Sequence, residues 1–337
     1  MKIKNLLILF FTTVTAIVVA AQPSSQCKPH PDGATKLIEI RPRFHTVGAE
    51  VADFDPCHRS VEFKIPTKFL GKPLDVKPPL VIIAHGGGGA GLLERNMVAA
   101  LYQNNIATLL FDAYQMNGFY QGYPFWGSQA TNESRQRMIY KAALGAYQWS
   151  LLQSDKVDTS SIYLQGVSNG AAVVVNLASV VDPKHVRLVI AEGLPGMGIG
   201  LPDNLSVPVR LVYGAIDNYG GKHDTDWMSD RSEFCRINAY VKWISEGNAK
   251  NCNGRTNPQA QTEKPVDWMA RMKEKGATID LVRYENAAHG ILQGPIDRKM
   301  LTYGTDNVTF SWTGSDYSAK EKLISDIVKA VELTRSK

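Results

Sequence analysis

From residue 80 onward, short apolar runs alternate with longer stretches of helical periodicity. Residues 80–84, 107–111, 162–164, 186–190, 209–213 and 278–284 are brief aliphatic runs that read as strands. Residues 92–101, 135–152 and 318–333 read as helices. In the second helix Met138, Ala142, Ala146, Trp149 and Leu152 recur at helical spacing and make one face. In the third, Leu323, Ile324, Ile327, Val328 and Val331 face the core, and Ser318 with Glu321 spells a capping box. Two earlier runs, 36–41 and 61–65, read as strands that precede the alternation. Strands alternating with helices predict an α/β fold, a mostly parallel sheet with helices on both faces. Such sheets bind ligands at the carboxyl ends of their strands.

The residues best suited to chemistry follow strands: His85, Asp112, Ser168, Glu192, Asp217 and His289. Gly166-Val167-Ser168-Asn169-Gly170 lies between the apolar run 162–164 and a small-residue run, 171–175. That is strand, sharp turn and helix, with a serine at the apex. Glycine two places to either side lets the backbone turn where a Cβ would clash. Serine needs a base to act as a nucleophile, and the base needs a group that fixes its tautomer. Of the seven histidines, His30, His45 and His58 lie early in the chain. His185 starts a strand at the far end of the sheet, and His223 sits in a polar stretch. His85 opens a glycine run, whose shape it is suited to hold. His289 follows the last strand and is the expected base. Asp217 is the expected orienting acid, with Glu192 its main competitor and Asp224 and Asp226 weaker ones. The oxyanion donors expected are the N–H of Asn169 and that of Gly86 or Gly87, in the run His85-Gly86-Gly87-Gly88-Gly89.

These motifs resemble the α/β-hydrolase superfamily, and within it the dienelactone hydrolase-related serine esterases and the catalytic domains of prolyl oligopeptidase-type peptidases. The match runs from about residue 80 onward and includes the chain order Ser, Asp, His. The resemblance implies a sheet of about eight strands, a Ser168–Asp217–His289 triad and no cofactor; with no CxxC and no HExxH, the spacings do not suit a zinc site either. Dienelactone hydrolases proper carry cysteine at the turn, so Ser168 points to general ester chemistry, carboxylesterase- or lactonase-like. An exported peptidase is the alternative within the same family. Val167 and Asn169 stand where lipase-like esterases have an acidic residue and alanine.

The N-terminus adds a location. Lys2 and Lys4 precede an uncharged apolar stretch, 6–19, and small residues lead to Ala21. This reads as a secretory signal peptide, residues 1–21, with 22–337 as a single mature domain, exported to the periplasm or secreted, a bacterial host being favoured. Four cysteines fit an oxidising compartment. Local pairing joins Cys27 to Cys57 and Cys235 to Cys252, the latter within an insertion at 218–265. An aromatic loop, 114–127, follows a strand at the catalytic edge, and its Tyr114, Tyr123 and Trp126 are candidates for a substrate wall. The formal net charge of +5 is scattered, with no basic run to suggest nucleic acid. After signal cleavage no segment is long and apolar enough to span a membrane. The partner expected is therefore a small-molecule ester or a peptide.

Two other classes compete. Gly86, Gly88 and Gly91 spell G-x-G-x-x-G, and Asp112 follows where a ribose-binding acid would stand. That would be a dinucleotide-binding oxidoreductase, but it leaves Ser168, Asp217 and His289 unexplained. A non-catalytic hydrolase fold serving as a binding protein is the other.

Overall fold

The computed structural model describes residues 53–120, 129–217 and 265–335, apart from breaks at 67, 70–71, 74–75, 196–197 and 304–306, together with strand fragments at Ile38–Glu39 and Ala49–Glu50. Residues 1–21, Cys27, Tyr123, Trp126, Cys235 and Cys252 lie outside this set, as does all of the 218–265 insertion but its last residue. Cys57 is described and exposed, while its expected partner is not described.

Seven strands form one sheet: β1 (Val61–Lys64), β2 (Leu80–Ala84), β3 (Ala107–Phe111), β4 (Ile162–Val167), β5 (Val186–Glu192), β6 (Val209–Gly214) and β7 (Ile279–Tyr284). Their spatial order is β7-β6-β5-β4-β2-β3-β1. All neighbours are parallel except β1, which runs antiparallel to β3 at the edge. The sheet thus has seven strands among the described residues, where about eight were expected. The early run at 36–41 does not join it: Ile38–Glu39 pairs instead with Ala49–Glu50 in a separate ladder.

Strand alternation divides the core. Leu80, Ile82 and Ala84 point to one face, where they meet helices α3 (Gln129–Leu151), α4 (Asn169–Leu177) and α5 (Pro265–Glu274). Val81 and Ile83 point to the other, under α1 (Leu92–Gln103) and α6 (Tyr317–Arg335). Both faces are covered, which is why the strands read as unbroken apolar runs. Burial on both faces also explains the small residues of α4, whose nine positions are all buried. Within α3, Ala142, Ala146 and Trp149 are buried as expected, whereas Leu152, one residue past the helix, is 46% exposed.

The last helix starts one residue earlier than its periodicity suggests. Asp316, not Ser318, caps it, and its Oδ1 accepts the Ala319 N–H at 2.7 Å. A carboxylate is the stronger acceptor at a helix N-terminus, where the dipole also favours its charge. A hairpin of β8 (Asp297–Tyr303) and β9 (Asn307–Thr313) was not foreseen. The short helix α2 (Ala113–Met116), between β3 and α3, takes up the start of the expected aromatic loop.

The chain leaves β2 toward β3 on one side and returns to β4 on the other. The crevice between the ends of β2 and β4 is therefore the topological switch point, where doubly wound sheets place ligands. The His85 loop leaves one of these strands, and Ser168 leaves the other.

Candidate active site

Ser168 sits at φ 55° and ψ −117°, one of two non-glycine residues with positive φ among those described. Such a conformation costs about 1–3 kcal/mol and persists only where neighbours enforce it. Here they do. A Cβ on Gly166 would stand 2.2 Å from the Gly170 carbonyl oxygen, and one on Gly170 would stand 2.2 Å from that of Ala84. Both glycines are needed for strand, turn and helix to pack backbone to backbone. The turn is pinned by Ser168 N–H, which donates to the Glu192 carbonyl at 2.8 Å. Ser168 is part-exposed between buried neighbours.

Asp217 and His289 come together from separate loops. The Asp217 loop follows β6 and the His289 loop follows β7. Ala215 N–H donates to Tyr284 O at 2.9 Å and Ile216 N–H to Ala287 O at 3.0 Å. A Cβ on Gly214 would collide with the Ala287 carbonyl at 2.2 Å, so only glycine lets the loops touch. His289 Nδ1 then lies 3.0 Å from Asp217 Oδ2, with both residues buried. With its Nδ1–H given to the carboxylate, the imidazole keeps its lone pair on Nε2, the form a general base requires. The hairpin supports this loop from behind: His289 N–H donates to Trp312 O at 3.3 Å, and Gly314 N–H to His289 O at 2.9 Å.

Gly193 abuts the imidazole of His289. It follows Glu192, the residue that pins Ser168, and has φ +60°. A Cβ there would stand 2.7 Å from His289 Cε1 and 3.4 Å from Asp217 Oδ2. The serine turn, the imidazole and the carboxylate therefore share one short stretch of the sheet's carboxyl edge. Strand β4 ends in a sharp turn with serine at its apex, and the acid and histidine follow later strands in that chain order. This is the α/β-hydrolase fold.

The glycine loop is held by three buried polar side chains. His85 Nδ1 lies 2.7 Å from Gly86 O, and His85 Nε2 accepts the Ala113 N–H at 3.0 Å. The ring must then be neutral with its proton on Nδ1, so His85 shapes the loop, as expected. Glu94 Oε1 accepts the Gly86 N–H at 3.2 Å and its Oε2 the Gly91 N–H at 2.8 Å. Gly86 N–H is thus already donated within the protein, which separates it from Gly87. Asp112 accepts from Tyr114 N–H and Gln115 N–H with Oδ1, and from Ala90 N–H with Oδ2. Its carboxylate turns back onto the glycine loop, and it caps α2 rather than facing a ribose. That removes the acid on which the dinucleotide reading depends.

Asn169 is the first residue of α4, so its N–H is one of the four without an intrahelical acceptor. Its side chain is fixed too. Gln136 Oε1 accepts the Ile199 N–H at 2.8 Å, so its Nε2 donates to Asn169 Oδ1 at 3.0 Å. This turns Asn169 Nδ2 toward Gly87, 3.1 Å from where a Cβ there would stand.

One site expectation is corrected. Tyr114 is fully buried and packs edge-on to His85, with ring centroids 4.7 Å apart. It lies beneath the glycine loop because α2 turns it inward, and it does not line a substrate wall. Glu192 is not the partner of His289 Nδ1: its Oε1 accepts the Ile291 N–H at 2.6 Å. Gly193, Glu94 and Gln136 were missed. Gly193 carried one signal, a glycine directly after a strand at the catalytic edge. Among the described residues no three His, Cys, Asp or Glu side chains are grouped as metal ligands would be, and no helix is long and apolar enough to cross a membrane.

No protein-family model matches the chain, and no curated protein sequence matches it. Among solved structures it is similar to a dienelactone hydrolase-like promiscuous phosphotriesterase from metagenomic libraries, with 16% identity over 81% of this chain and 92% of that one, at a TM-score of 0.44. It is also similar to Est1E from Butyrivibrio proteoclasticus, solved with ferulic acid bound: 15% identity, 82% and 95% coverage, TM-score 0.45. An acylaminoacyl peptidase from Pyrococcus horikoshii matches at 12% identity over 64% of this chain and 33% of that one, TM-score 0.39. The chemistry of the site is therefore read from its own residues.

Proposed function

We propose that the protein is a serine hydrolase that cleaves an ester of a small molecule through Ser168, His289 and Asp217. The observation that carries this is the Asp217–His289 hydrogen bond, at the same sheet edge as a serine held in a strained turn. Ser168 Oγ attacks the ester carbonyl while His289 Nε2 takes its proton. Asp217 holds the imidazole in the right tautomer and stabilises the imidazolium. The oxyanion accepts from Asn169 N–H and Gly87 N–H; Gly87 is chosen over Gly86 because the Gly86 N–H is engaged by Glu94. The imidazolium returns its proton to the departing alcohol, leaving an acyl-serine. Water, deprotonated by His289, attacks that acyl group and releases the acid and free serine.

The mechanism needs no cofactor. A peptidase would use the same steps with an amine as leaving group. Tyr123 and Trp126 remain our proposal for the substrate wall. Export, with removal of residues 1–21, remains our proposal for location.

Short p-nitrophenyl esters test the reading. Turnover is expected, and Ser168→Ala should lower kcat by at least about a thousandfold. Absence of turnover on every ester would leave a peptidase or a non-catalytic binding protein as the better account, and full activity in the variant would show that Ser168 is not the nucleophile.

A further inference from the structure

Glu192 ends strand β5 and lies one residue before the glycine that abuts His289. It is 2% exposed, and the orienting role it could have filled belongs to Asp217. A carboxyl group buried this deeply is costly unless something offsets it. Two of its groups bridge the site. Its carbonyl accepts the Ser168 N–H at 2.8 Å, and its Oε1 accepts the Ile291 N–H at 2.6 Å, two residues beyond the histidine. Ile291 is itself buried, so without this acceptor its N–H would be an unsatisfied donor. One residue thus ties the loop of the base to the turn of the nucleophile.

We propose that Glu192 is a positioning residue that clamps the His289 loop to the Ser168 turn and so fixes the distance between base and nucleophile. This rests on the serine hydrolase reading and adds a residue to it. Burial pushes the Glu192 carboxyl up to about 7, against the opposing pull of the Ile291 N–H and of His289, while Asp217 and Glu94 push it further up. Tyr284 also feels its charge, which pushes the tyrosine hydroxyl further up. The acid form is therefore well populated at neutral pH, and the clamp needs an acceptor oxygen rather than a charge. Glutamine has that oxygen, in nearly the same shape, and alanine does not.

Steady-state kinetics on a short p-nitrophenyl ester, with Glu192→Ala and Glu192→Gln side by side, separate the possibilities. Displacing a base by about 1 Å costs roughly a hundredfold, so Glu192→Ala should lower kcat about ten- to a hundredfold with KM little changed. Glu192→Gln should stay close to wild type. Circular dichroism checks the fold of each; if the alanine variant does not fold, Glu192→Asp takes its place, withdrawing the acceptor by one methylene while keeping the carboxyl group. Wild-type kcat in the alanine or aspartate variant overturns the proposal, and so does equal impairment of the glutamine variant. A fluorophosphonate probe keeps this apart from the parent reading. If wild type is labelled and Ser168→Ala is not, while Glu192→Ala is labelled at the wild-type rate, the clamp alone fails. If wild type is not labelled at all, the hydrolase reading fails first.

Discussion

Gly193→Ala is the smallest change that should separate the serine from its base. The methyl group would arrive 2.7 Å from His289 Cε1, 2.8 Å from Nδ1 and 3.4 Å from Asp217 Oδ2. Carbon atoms sit at about 3.5–4.0 Å when unstrained, so the imidazole must retreat by roughly 0.8 Å or more. Its route is restricted, because the ring is buried and its own backbone is bonded to Trp312 and Gly314. The backbone adds a second cost: at φ +60° an alanine is strained by roughly 1–2 kcal/mol. A misplacement near 1 Å lowers catalysis about a hundredfold. We therefore expect kcat for a short ester to fall about a hundredfold with KM nearly unchanged, and the melting temperature to drop by a few degrees. Stopped-flow ester hydrolysis and thermal denaturation measure both. A variant that melts lower yet keeps wild-type kcat would refute the argument, because it would show that the spacing at Gly193 does not govern the base.

Three further outcomes follow from the same geometry. Asp217→Asn should lower kcat by about 10⁴-fold by favouring the wrong imidazole tautomer; a mild effect there, with a severe one in Glu192→Gln, would exchange the two acids' roles. Stability should depend on pH through Glu192, whose folded pKa is raised from 4.5 to about 7. Between these values the folded state holds a proton that the unfolded chain gives up. This stabilisation is complete below the unfolded value and falls as pH rises through about 7, by about 3 kcal/mol in all. Urea unfolding from pH 4.5 to 8 should show that loss in wild type and not in Glu192→Gln; identical slopes would contradict it. Tyr114→Ala should cost about 3–5 kcal/mol of stability as a cavity under the glycine loop, and a KM effect on bulky esters without loss of stability would return Tyr114 to the substrate wall.

The sequence was most legible where local chemistry and packing ask for the same residues. Gly166 and Gly170 are required by steric contact alone, so the serine turn could be read from five residues. The sheet's strands were legible because burial on both faces leaves unbroken apolar runs. Tyr114 was misplaced because its burial is decided by α2, whose start depends on a cap from Asp112 that periodicity does not display. The final helix was shifted for a related reason: Ser318 and Glu321 fit the capping pattern, yet Asp316 supplies the bond. Glu94 and Glu192 could not be assigned from sequence. Each acts on backbone N–H groups of a loop, Gly86 and Gly91 for one and Ile291 for the other, and such bonds depend on the assembled edge. The hairpin behind His289 was hidden because nothing in its alternation distinguishes a support from an ordinary loop.

The central claim is that Ser168 is an activated nucleophile. The most direct measurement is reaction of the whole protein with a fluorophosphonate, followed by mass spectrometry of the modified peptide. A single adduct on Ser168 is expected, absent in Ser168→Ala. No adduct on the native protein, or one that persists in the alanine variant, would contradict the account.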